Sequence, residues 1–138
     1  MVHGLLGGRD RIRLVEPLPY RQLIGVLASS ALVLTDSGGI QEEAPSLGVP
    51  VLVLREVTER QEAVDAGCAR LVGTDAAVVL AEARRLLLDR GAWEQMAQVA
   101  NPFGDGHAAE RAVAAIGALV AGDPLPTSWQ PAGREGAR

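Results

Sequence analysis

Asp36-Ser37-Gly38-Gly39 stands between an apolar run, Ala31 to Thr35, and a helix expected over Ile40 to Leu47. The first turn of a helix carries backbone N–H groups without partners and a partial positive charge. Glycine there lets an anion approach the backbone closely, and the Ser37 hydroxyl adds a donor. The anion so served is a phosphate. On the competing reading, Ser37 merely caps the helix and the glycines make a tight turn. A reciprocal capping box is not available, because Ile40 stands where Glu or Gln would be needed. The motif is neither a P-loop nor a GxGxxG fingerprint. With Ile40, Ala44 and Leu47 facing inward, Glu43 lies close to the buried face and Glu42 points further round. A carboxylate near a phosphate suits a ribose, since it accepts hydrogen bonds from both hydroxyls of a diol. A solvated glutamate pair is the plainer alternative. Pro45 removes one helix hydrogen bond, which kinks or shortens the helix.

The elements that must position these residues alternate along the chain. Arg11 to Glu16 reads as a short strand ended by Pro17 and Pro19, and Tyr20 to Ser29 has helical spacing. Ala31 to Thr35 is a continuous apolar strand, as is Val51 to Leu54, with Gly48 and Pro50 stopping the helix between them. Thr58 to Ala66 looks helical and Arg70 to Val72 is a brief strand. Asp75 to Asp89, Trp93 to Ala100 and Ala108 to Ala121 are expected helices. Strands apolar on both faces, separated by helices, predict an α/β fold with a parallel sheet covered on both sides. That is a Rossmann-like, doubly wound arrangement over residues 1–122. Residues 123–138, with three prolines and Trp129 as their one bulky exception, read as a disordered tail. Four short strands are fewer than such a domain usually holds, so part of the sheet is expected to lie outside this chain.

The 138 residues, 48% hydrophobic and 22% charged with a net charge of −4, suit a globular domain with a core. The acidic balance and 3% aromatic content argue against nucleic acid as a partner. No run approaches the ~20 apolar residues that would span a membrane. The cytoplasm is the default expectation. The single Cys68 has no disulfide partner and no metal-ligand spacing, and reads as a buried inert thiol.

The runs LTDSGGIQEEAPSLGVPVLVLREVTER, EAVDAGCARLVGTD and NPFGDG resemble the non-hydrolysing UDP-N-acetylglucosamine 2-epimerases. The likeness extends from about Leu5 to Val120, in order and nearly without gaps. It implies two Rossmann-like domains arranged as in the GT-B glycosyltransferases, with UDP-sugar in the cleft. This chain resembles only the later part of the second domain. The family's catalytic carboxylates lie in the first, so the chain carries no catalytic residue on this reading, and no metal or cofactor is implied. By resemblance, Ser37 and the Gly38 and Gly39 amides would hold the UDP phosphates and Glu43 the ribose hydroxyls. The turn Glu16-Pro17-Leu18-Pro19, centred on Leu18, would offer backbone groups to uracil. Arg60 would face the cleft near the pyrophosphate, unless it is a surface arginine paired with Glu62. Gln61 departs from the family's TERPE pattern and is expected to loosen the loop holding Arg60, whereas His107 reads as structural.

The reaction so implied inverts C2 of UDP-GlcNAc, giving UDP-ManNAc, by eliminating UDP and re-adding it. It belongs to the supply of amino sugars for cell-envelope polysaccharide. Rival readings are a hydrolysing epimerase, another GT-B nucleotide-sugar enzyme, or a noncatalytic nucleotide-binding domain. A first domain carried elsewhere, or a homodimer, would complete the enzyme.

Overall fold

A computed structural model describes residues 2–127. Its elements are α1 (Val2–Leu6), α2 (Tyr20–Ala28), β1 (Val33–Thr35), α3 (Gly38–Ser46), β2 (Val51–Val53), α4 (Gln61–Ala66), β3 (Ala69–Leu71), α5 (Ala76–Leu88), α6 (Arg90–Ala97) and α7 (Ala108–Ala121). The strands lie in the order β1-β2-β3 and are all parallel. Val33 pairs with Val51 and Val51 with Ala69, while at the other end Thr35, Val53 and Leu71 are aligned. Parallel neighbours need a crossover, and α3 and α4 supply the two.

Alternation of side chains along β2 divides the core into two layers. Val51 and Val53 pack with Ala44 of α3, Ala63 of α4, Val49, Cys68 and Ala69. Leu52 points the other way and packs with Val72, Leu86 of α5, and Ala92 and Met96 of α6. The expected α/β architecture, with a parallel sheet covered on both faces, is therefore what these residues form. Cys68 is buried; its thiol donates to the Ala63 carbonyl at 3.3 Å, and burial pushes its pKa up. Such a thiol is a poor nucleophile.

Residues 11–16 do not form the expected first strand. The Ile12 N–H is spent on the Arg9 carbonyl in a turn, and β1 has β2 as its sole ladder partner among the described residues. Alternating hydrophobicity makes a strand only where the segment ladders against a neighbour, which residues 11–16 do not do, and Pro17 and Pro19 donate nothing to a ladder. Leu34 on β1 stays 44% exposed at that open edge.

Helix starts follow capping chemistry more closely than hydrophobic spacing. Asp75 accepts from the Ala77 and Val78 amides and opens α5. Asp89 both ends α5 and accepts from the Ala92 amide, so α6 begins at Arg90, three residues before the expected start. α4 begins at Gln61 rather than Thr58 because the Thr58 side chain is engaged elsewhere. The NPFGDG segment folds on itself. Asn101 accepts from the Phe103 amide and donates to the Gly104 carbonyl and to Ser46 at the end of α3. Arg111 clamps Asp105 with two contacts of 2.6 Å, which holds that carboxyl well below the usual carboxylate range. His107 precedes α7, and its ring contacts the Glu110 carboxylate. Val113, Ile116, Leu119 and Val120 of α7 are uncovered among the described residues. The expected disordered tail lies outside them from residue 128 onward, and Trp129 with it.

Leu52 is fully buried at the centre of the middle strand. Leu52→Ala should lower unfolding free energy by about 3 kcal/mol, the usual cost of such a cavity. A urea midpoint unchanged from the parent chain would contradict the central position assigned to β2.

Candidate functional site

The carboxyl ends of β1 and β2 are level, since Thr35 pairs with Val53. Two connections therefore leave the sheet side by side: Asp36-Ser37 into α3, and residues 54–60 into α4. In open parallel sheets this is the end at which ligands collect.

The Thr35 hydroxyl accepts from the Ser37 amide at 3.0 Å and sets the turn into α3. Ser37 is the residue before the helix, with extended φ and ψ of −80° and 129°, yet its side chain makes no capping hydrogen bond. The simple-cap reading of Ser37 thus does not hold. Neither Gly38 nor Gly39 has a positive φ, so no tight turn demands glycine at these positions. A Cβ on Gly39 would meet nothing within 4 Å, and one on Gly38 would meet only the exposed Glu59 carboxylate, at 2.8 Å. Glycine at a helix start costs stability relative to alanine. Here the fold gains no conformational return for it. Space is open beside Gly39, while the Glu59 carboxylate lies beside Gly38; the first-turn amides of Gly38, Gly39 and Ile40 are donors with no acceptor inside the helix.

Glu43 follows Gly39 by four residues, which places both on one helix face, about 6 Å apart along the axis. It is half-buried, and its carboxylate has no hydrogen bond or ion pair among the described residues. Glu42 is not a solvated bystander. It takes the Arg60 Nε in an ion pair across the two connections, so Arg60 is held by Glu42 and not by Glu62. Both partners are more than a third exposed, and the pair adds little stability. Its effect is to bring the Arg60 guanidinium against α3. Ser37, Gly38, Gly39, Glu43 and Arg60 therefore belong to one neighbourhood. Leu18 is not joined to it directly: it lies half-buried just before Pro19 and α2, and α2 in turn packs on α3.

Sequence reasoning passed over Gln41 and Thr58. Gln41 is fully buried, donates from Nε2 to the Ser37 carbonyl at 3.2 Å and accepts from Thr58 Oγ1 at 2.6 Å. A glutamine flanked by the inward-facing Ile40 and Ala44 was the available signal. Among the described residues, no group of three or more His, Cys, Asp or Glu side chains is placed to hold a metal ion. No helix among them is long and apolar enough to cross a membrane. A hollow of about 260 Å³ lined by Ala31, Leu86, Leu87, Leu88, Arg90 and Trp93 lies at the start of β1, away from α3's first turn.

Comparison with known proteins gives a consistent result. The UDP-N-acetylglucosamine 2-epimerase family profile matches residues 1–117. The chain is 52% identical over 120 residues to a probable UDP-N-acetylglucosamine 2-epimerase of Ralstonia nicotianae, covering 87% of this chain and 32% of the relative. It is 48% identical over 115 residues to the UDP-N-acetylglucosamine 2-epimerase of Salmonella typhimurium, covering 83% of this chain and 31% of that protein. A UDP co-structure of S. aureus MnaA superposes with a TM-score of 0.83 at 43% identity, over 92% of this chain and 36% of that one. The chain thus spans about a third of the length of the curated relatives it matches.

Pyrophosphate should shift the amide resonances of Gly38, Gly39 and Ile40. Gly39→Ala is expected to blunt those shifts while raising folding stability by up to about 1 kcal/mol. A destabilised Gly39→Ala chain would show that the fold itself requires this glycine.

Proposed function

The chain belongs to the UDP-N-acetylglucosamine 2-epimerase family, and we propose that it forms the nucleotide-holding part of an enzyme interconverting UDP-GlcNAc and UDP-ManNAc. The observation that carries this reading is the first turn of α3, open at Gly39, with glycines that no positive φ demands and a serine that caps nothing. In the proposed complex, Ser37 and the amides of Gly38 and Gly39 bind the UDP phosphates. Glu43 accepts from the ribose hydroxyls one turn further on, and Arg60 approaches the pyrophosphate. Backbone groups around Leu18 meet the uracil ring.

Epimerisation at C2 by elimination makes UDP a leaving group that must remain bound until it is re-added. Negative charge then grows on the β-phosphate. Fixed N–H donors at a helix start stabilise it without reorganisation, the strategy of an oxyanion hole. The proton at C2 needs an acid/base pair. That pair is assigned to a first domain facing this one, as in a GT-B cleft. A nucleotide-sugar substrate places the enzyme in the cytoplasm, supplying amino sugar for cell-envelope polysaccharide. Assembly as a homodimer through the first domain fits the same scheme.

Two outcomes test this. UDP should perturb the resonances around α3, and both Ser37→Ala and Glu43→Ala should weaken binding by about tenfold, as expected for one lost hydrogen bond to a charged partner. Unchanged affinity in both variants would remove the assigned roles. The purified 138-residue chain should convert no UDP-GlcNAc, and measurable turnover would place the acid/base pair within it.

A further inference from the structure

Gln41 is a fully buried polar side chain on α3, the helix that lends Ala44 to the apolar layer over Val51 and Val53. Burying an amide is costly unless both of its ends are satisfied. Here both are, and in a single direction. The Arg60 N–H donates to Thr58 Oγ1 at 3.0 Å. Thr58 spends its one hydroxyl proton on Gln41 Oε1, at 2.6 Å. Gln41 Nε2 then donates to the Ser37 carbonyl at 3.2 Å. Head-to-tail polarisation strengthens such a chain, and its direction fixes which way the Gln41 amide faces. An apolar side chain at position 41 would fill the same space with no polar requirement.

The two ends of this relay are the two residues expected to meet a diphosphate. Ser37 precedes the open amides of α3. Arg60 has its Nε taken by Glu42, and its terminal guanidinium nitrogens have no partner among the described residues. We infer that Gln41 and Thr58 are positioning residues whose relay holds the Thr58–Arg60 loop at a set distance from the Ser37 turn, so that one diphosphate engages both. The inference rests on the proposed UDP site and adds to it a determinant for diphosphate over monophosphate. Neither side chain touches the ligand. Gln61 supplies an N–H where the family pattern has proline, so the relay and the Glu42–Arg60 pair together restrain this loop.

Thr58→Val keeps the side-chain shape and deletes the hydroxyl; Thr58→Ser keeps the hydroxyl. Affinities for UDP and UMP, measured by calorimetry on the full chain, are compared with hydrogen exchange of the Arg60 amide. Thr58→Val should weaken UDP by about tenfold and leave UMP nearly unchanged, while exchange at Arg60 accelerates. Thr58→Ser should restore all three values, and Gln41→Leu should repeat the loss of UDP preference. Equal weakening of both nucleotides, or an unchanged UDP-to-UMP ratio, overturns the inference while leaving the UDP site standing. A parent chain that binds neither nucleotide overturns the UDP site itself, and the inference with it.

Discussion

Parallel pairing of β1 with β2 is the constraint from which the site follows. With Thr35 opposite Val53, both strands end at the same level, and both must hand the chain to a helix there. Ladder hydrogen bonding can satisfy the strands, but it leaves the first-turn amides of α3 facing outward. The neighbouring connection can only run beside them. The Glu42–Arg60 pair and the Gln41–Thr58 contact are consequences of that adjacency. Had the strands been antiparallel, these two connections would leave from opposite ends of the sheet.

Division of labour within α3 follows from helical periodicity. Ala44 is buried against the valines of β2, and Gln41 and Pro45 are buried as well. Gly39 and Glu43 share a different face, four residues apart, where space is open. Pro45 sits near the helix end, where losing one backbone bond matters least, and helps fill the core. The first turn meanwhile bears the cost of two glycines and an unused serine hydroxyl. Local inconsistency of this kind, in a helix otherwise well packed, is the expected mark of a site shaped by its ligand.

Legibility of the fold from residues alone was uneven for physical reasons. Val33 to Thr35 and Val51 to Val53 were plain as continuous apolar runs, the second because a strand buried on both faces must be apolar throughout. Residues 11–16 were misread, because a strand exists only with a partner edge, and that is not a local property. The starts of α4 and α6 shifted because Thr58 and Asp89 spend their side chains on particular backbone or side-chain groups. α7 carries the apolar pattern of a packed helix, but Val113, Ile116 and Val120 find no cover among the described residues.

Sequence alone determined the chemistry available at residues 37–43: free amides at a helix start, a hydroxyl, and a carboxylate one turn beyond. It did so because capping and helical periodicity are short-range properties, written within a few residues. It also carried the family, through runs long enough to be specific. Only the tertiary structure decided that Arg60 pairs with Glu42 rather than Glu62, and that Gln41 is buried against Thr58. Those contacts join positions 17 and 18 residues apart, across two parallel connections. No local rule ranks such partners. They are chosen by which strands pair, and in what register.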